Sequence, residues 1–215
     1  RQARRDGDFA PAADYFEAAL ESDPEDPELL SATLHVVLAD GRIERANRLA
    51  GRLTRIEPAD GLGRLVRAVH RATTNDYRSA RRELGKADEA GLNPLVGPLV
   101  KAWILAELGR REEVEEVLGV LGENAALSPF VSYHRALIRD FMGDDAGARE
   151  AYVETIEITG GKSIRAVEAS VSFLARSGST SEAADLYRDY LAIDPGNPVI
   201  EAALEALERG ETVAL

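Results

Sequence analysis

Residues 41–58 read GRIERANRLAGRLTRIEP, and residues 178–195 read GSTSEAADLYRDYLAIDP. Laid one over the other, glycine meets glycine, a small residue follows five places on, and a proline closes each stretch. The same frame returns along the whole chain. Its small position falls at Ala12, Ala46, Ala80, Val114, Ala148 and Ala183, at spacings of 34, 34, 34, 34 and 35 residues. Five places upstream stand Gly7, Gly41, Asn75, Gly109, Gly143 and Gly178. With 18 glycines among 215 residues, chance supplies fewer than one glycine to those six slots, and five are filled. A sequence period of this length indicates a stack of like structural units.

Each part of the frame has a physical reason. The glycine, or Asn75, ends one helix in a left-handed turn that a Cβ resists. The pairs that follow open the next helix, and among them Asp76, Asp144 and Ser179 are expected N-caps. The alanine position is small because two antiparallel helices cross there. Four residues on, Phe16, Ala50, Leu84, Leu118, Tyr152 and Tyr187 fill the space beside the crossing. Three further on, Ala19, Leu53, Ala87, Leu121 and Tyr190 continue the same apolar face at helical spacing. Pro24, Pro58 and Pro195 then stop the second helix.

On these residues the chain resembles the tetratricopeptide-repeat family, of bacterial type. The likeness is carried by GDFAPAADYFEAALESDP (7–24), GRIERANRLAGRLTRIEP (41–58), GDDAGAREAYVETIEITG (143–160) and GSTSEAADLYRDYLAIDP (178–195). It implies an all-α, right-handed α-solenoid of antiparallel helix pairs. The expected layout is one solenoid over 1–209. A half repeat occupies 1–26, whole repeats 27–60, 61–94, 95–128, 129–162 and 163–197, and a capping helix 198–209, with a tail at 210–215. Helices are expected near 8–22, 27–39, 43–56, 61–73 and 77–90, and another from Pro98, where proline suits the first helical turn. The sequence departs from the family at the large aromatic of each first helix, whose slots hold Leu30, Arg64, Pro98, Ser132 and Val167. Asn75 replaces one glycine, and Leu92 and Ala126 stand where proline is usual.

Composition bounds the function. There are 38 acidic and 26 basic residues, a net charge of −12, which argues against a general nucleic-acid footprint and for a self-repelling surface. Cysteine is absent, so no disulfide or thiol chemistry is expected. The only lysines are Lys86, Lys101 and Lys162, an arginine bias typical of high-GC coding. No apolar run approaches the length of a membrane-spanning helix. The chain has no initiating Met and opens inside a repeat. The expectation is a fragment whose targeting signal would lie upstream of Arg1, leaving cytoplasm and periplasm both open.

The sequence offers no catalytic constellation. His35, His70 and His134 have no partner at a metal spacing, and the acidic clusters 23–28 and 112–116 read as turns and solvated helix faces. GGKS at 160–163 lacks the rest of a phosphate loop, and no nucleophile–base pair is legible. No enzyme, cofactor or metal is therefore expected. The family resemblance instead implies a protein-interaction scaffold that holds a partner's peptide or helix on the first helices of its repeats. The corresponding positions in the middle repeats are Leu65, Val69, Leu99, Trp103, Phe130, Tyr133, His134 and Leu137. Two readings stand for Trp103 and Tyr133: anchors for a partner, or packing that compensates for the missing aromatics. Arg67, Lys101 and Arg135 recur at one repeat position and form a candidate basic ladder for an acidic peptide, or ordinary solvated charges. The Lys/Asn clamp for a C-terminal carboxylate known in part of the family is not matched, because Ser31, His35, Leu65 and Val69 hold its slots. Alternatives are a homo-oligomer assembled through the N-terminal half repeat, or the arm of a larger enzyme or assembly factor.

Overall fold

The computed structural model describes residues 9–88 and 95–211. Among the described residues there are helices and turns but no strand. The chain divides into two compact units, residues 1–108 and 109–215, with the boundary between the two helices of the expected fourth repeat.

The first unit holds α1 (Phe9–Ser22), α2 (Pro27–Ala39), α3 (Ile43–Ile56), α4 (Gly61–Thr73), α5 (Tyr77–Asp88) and α6 (Val96–Glu107). The second holds α7 (Arg111–Gly122), a 3-10 turn (Ala125–Leu127), α8 (Ser128–Phe141), α9 (Asp145–Thr159), α10 (Ile164–Arg176), α11 (Thr180–Ile193) and α12 (Pro198–Glu208). Within each unit every helix packs on its chain neighbours, and α4 also meets α6 as α8 meets α10. That nearest-neighbour pattern is the packing of an all-α solenoid.

Local chemistry sets the helix ends. Gly41, Asn75, Gly109, Gly143 and Gly178 have φ of 76°, 60°, 70°, 70° and 82°, all left-handed. Four of these turns share one hydrogen-bond pattern. The turn residue's N–H donates three residues back, as in Gly143 N to Asp140 O at 3.0 Å, and the next N–H donates five back, as in Asp144 N to Arg139 O at 2.9 Å. The turn at Asn75 repeats it at 3.0 and 2.9 Å. These paired bonds satisfy carbonyls that the helix end would leave orphaned.

Asp76 and Asp144 cap as expected, accepting from Ser79 N at 3.2 Å and Gly147 N at 3.1 Å. Ser179 does not: its side chain makes no capping bond. Glu182, three residues on, is held instead by both oxygens to Arg149 at 2.7 Å, so it does not complete a capping box with Ser179. The first helix of the expected fourth repeat begins at Val96 rather than Pro98, and Pro98 sits inside its first turn, where the missing N–H leaves no bond unmade. At Ala126, where proline is usual, Asn124 organises the 3-10 turn by accepting from Ala126 N at 3.1 Å. The expectations for Gly7, residues 1–6, Leu92, the end of α5 at 90 and residues 212–215 lie outside the described residues.

The crossing positions are buried throughout: Ala12, Ala46, Ala80, Val114, Ala148 and Ala183. Leu53, Leu84, Leu118, Tyr152 and Tyr187 close over them, all at 3% exposure or less. Four of the five slots without an aromatic are buried as well, including that of Arg64. A guanidinium therefore lies where the repeat calls for a large apolar ring.

Candidate functional site

The expected binding positions lie on the first helices, and each unit carries its own set. In the first unit Leu65 and Val69 stand one turn apart on α4. That helix is started by Asp60, which accepts from Gly63 N at 2.6 Å. Leu65 is half-buried against Ala68, Ala80, Leu84 and Ile104. Val69 is 39% exposed. Leu99 and Trp103, four residues apart on α6, are both half-buried.

In the second unit the positions converge on one helix. Phe130 is 51% exposed on α8. Tyr133 and His134 follow, half-buried, with ring centroids 5.6 Å apart and planes at 66°. Leu137 backs them against Ala136, Ala148, Tyr152 and Phe173. Burial pushes the Tyr133 hydroxyl pKa up and the His134 imidazole pKa down. Phe130 with the Tyr133–His134 pair thus forms one aromatic ridge along α8.

The basic positions do not stand as open charges. Arg67 donates to Thr54 Oγ1 at 3.0 Å and pairs with Glu83 at 3.0 Å. Arg135 donates to Glu115 Oε2 at 3.2 Å, beside Arg139, which donates to Glu115 Oε1 at 2.8 Å. Lys101 is half-buried. Near Arg67, a cleft in the first unit is lined by Arg55, His70 and Arg71 among others. Two of those side chains already face carboxylates, Arg71 on Asp76 at 3.1 Å and His70 near Glu44 at 3.8 Å. Among the described residues no group of three or more His, Cys, Asp or Glu could hold a metal ion. No helix of the described residues is long and apolar enough to cross a membrane.

Two features were not anticipated from the sequence. Arg64 reaches Glu83 inside the first unit at 2.6 Å. In the second, Tyr152 donates to Asp140 Oδ2 at 3.0 Å, and Arg176 donates to both oxygens of Asp140 at 2.9 and 2.8 Å. The only advance signal of the first was an arginine in an apolar slot. The second had none, because its members lie 12 and 36 residues apart.

PilW, a widely conserved type IV pilus biogenesis factor, matches with a TM-score of 0.74 at 16% identity over 94% of each chain. A tetratricopeptide repeat protein from Parabacteroides merdae matches with a TM-score of 0.70 at 17% identity, over 96% of this chain and 80% of the other. The chain has the tetratricopeptide-repeat fold. YrrB, a tetratricopeptide-repeat protein with an unusual peptide-binding site, shares that fold at a TM-score of 0.58 and 15% identity, over 90% of this chain and 99% of its own. At such identities the likeness is one of fold alone. No protein-family model matches the sequence, and no curated protein matches it.

Proposed function

We propose that the protein is a non-catalytic interaction scaffold that takes a partner's peptide or helix on the first helices of its repeats. The observation that carries this reading is the ridge on α8. A 51%-exposed Phe130 adjoins a half-buried Tyr133–His134 pair on one helix. Exposed rings beside rigid, half-buried ones bury much area at small entropic cost when a partner arrives. Val69 on α4 and Trp103 on α6 offer the equivalent surface in the first unit. The fold is compatible with such a role, and the peptide-binding site of YrrB is an analogy at the level of fold.

The test compares partner capture by the native chain with capture by Trp103→Ala and Tyr133→Ala, each checked for helicity and melting temperature. A variant that stays folded and loses its partner supports the reading. Unchanged capture by both folded variants removes it.

A second reading, self-association, is favoured by one observation. Tyr15 on α1 is 72% exposed and meets Phe16 edge-on at 5.9 Å. Light scattering across concentration decides it: a Tyr15-dependent increase in mass supports assembly, and a monomer at high concentration rejects it.

A further inference from the structure

A second surface lies in the second unit, away from the α8 ridge. A groove runs between α9 and α11, the second helices of two successive pairs, with α10 as its floor. Its main cavity has a volume of about 320 Å³, and a smaller one of about 220 Å³ continues it through the shared residues Ile156, Leu186 and Asp189. None of Phe130, Tyr133, His134 and Leu137 lines either cavity. The floor is apolar: Phe173 is buried at 3% exposure, while Val153 and Ile193 on the walls are 55% and 48% exposed.

The polar lining is one-sided. Arg149 is its one cation, and both oxygens of Glu182 hold it at 2.7 Å. Glu157 on α9 and Asp189 on α11 are exposed and have no side-chain partner among the described residues. Ser170 gives its hydroxyl proton to Ala166 O at 2.8 Å. The groove thus offers apolar area and several hydrogen-bond acceptors, with the Arg149 guanidinium, bound through one nitrogen to Glu182, as its one charged donor.

That chemistry selects the occupant. An extended peptide laid on the floor would bury more backbone carbonyls than the single guanidinium of Arg149 could meet. A helix satisfies its own backbone, and its side chains pack between the ridges of two parallel helices. We propose that the groove docks an amphipathic helix of a partner protein, apolar on one face, with Lys or Arg on the flanks that meet Glu157 and Asp189. The walls from Arg149 to Gly160 span about 17 Å, or three helical turns. The proposal rests on this groove alone and stands whether or not the α8 ridge binds anything.

The test uses the intact chain and two labelled peptides of about four turns. Both carry leucines on one face, one with flanking lysines and the other with glutamates in their place. Fluorescence anisotropy should show the lysine peptide binding at least about tenfold more tightly, less so as salt rises. In the double variant Glu157→Lys/Asp189→Lys the preference should reverse. Val153→Glu should weaken both peptides, and Tyr133→Ala should change neither. The proposal is overturned if neither peptide binds below about 1 mM or if the charge swap leaves the preference unchanged. It is equally overturned if Tyr133→Ala abolishes binding, which places the peptide on the α8 ridge. Light scattering that shows self-association lost in Val153→Glu would assign the groove to a second copy and reject a partner helix.

Discussion

Arg64 donates from Nη1 to Glu83 Oε2 at 2.6 Å, with the two side chains only 9% and 11% exposed. The remaining bonds complete the arrangement: Arg64 Nε donates to Pro58 O at 2.9 Å, and Glu83 Oε1 takes Arg67 at 3.0 Å. A guanidinium in the slot of a large apolar residue is thereby tolerated, because α5 brings a carboxylate to meet it.

Removing one partner leaves a buried charge uncompensated. Glu83→Ala should destabilise the first unit by about 3–5 kcal/mol. The double variant Arg64→Leu/Glu83→Leu should recover most of that loss, since an apolar pair suits the slot at least as well. Urea denaturation of the two variants against the native chain measures it. A double variant no more stable than Glu83→Ala would show that the pair does not act as a unit.

The left-handed turns predict opposite effects at two equivalent positions. A Cβ added at Gly143 would meet nothing within 4 Å, so the consequence of Gly143→Ala is conformational. It should destabilise by about 1–2 kcal/mol. Asn75 has a φ of 60°, and Asn75→Gly should be neutral or slightly stabilising. Equal losses at the two sites in thermal melts would contradict the shared turn geometry.

Two buried tyrosines differ in their hydroxyls. Tyr187 OH has no hydrogen-bond partner among the described residues, whereas Tyr152 OH donates to Asp140 at 3.0 Å. Tyr187→Phe should therefore be neutral or stabilise by about 1 kcal/mol, and Tyr152→Phe should destabilise by a similar amount. Burial, aided by the charge of Glu168, pushes the Tyr187 pKa up to about 12. Between its ordinary value of 10.0 and about 12, the unfolded chain releases a proton that the folded chain retains. Stability should fall as pH rises through that window, and less so in Tyr187→Phe. Alkaline melts of the two variants against the native chain decide the point.

His134 acts at the other end of the pH scale. Burial holds its pKa below the ordinary 6.5. As pH drops below 6.5, the unfolded chain takes up a proton before the folded chain does. The His134 contribution is complete above that value and declines towards the lower folded pKa. His134→Asn should flatten the acid limb of stability against pH. An unchanged limb would show that the imidazole is as well solvated folded as unfolded.

Much of the fold was legible because its signals are local. Gly41, Asn75, Gly143 and Gly178 fix turns through their own φ, and Asp144 caps through a bond only three residues away. The alanine period marks the crossings, because only a small side chain lets two helices approach. The candidate site was legible in part. Val69 and Phe130 are exposed on first helices, while Arg67 and Arg135 meet carboxylates that a one-dimensional reading does not bring near them. Ser179 has the right chemistry for a cap and makes no capping bond.

The sequence by itself determined the period, the helix ends and the buried stripe, since each depends on backbone conformation and neighbours within one turn. Tertiary structure alone decided that Arg64 meets Glu83, that Arg149 holds Glu182, and that Val153 and Asp189 border one groove. Those residues lie on different helices and meet only once helices pack. Whether a charge is neutralised or an apolar face covered depends on what that packing brings beside it.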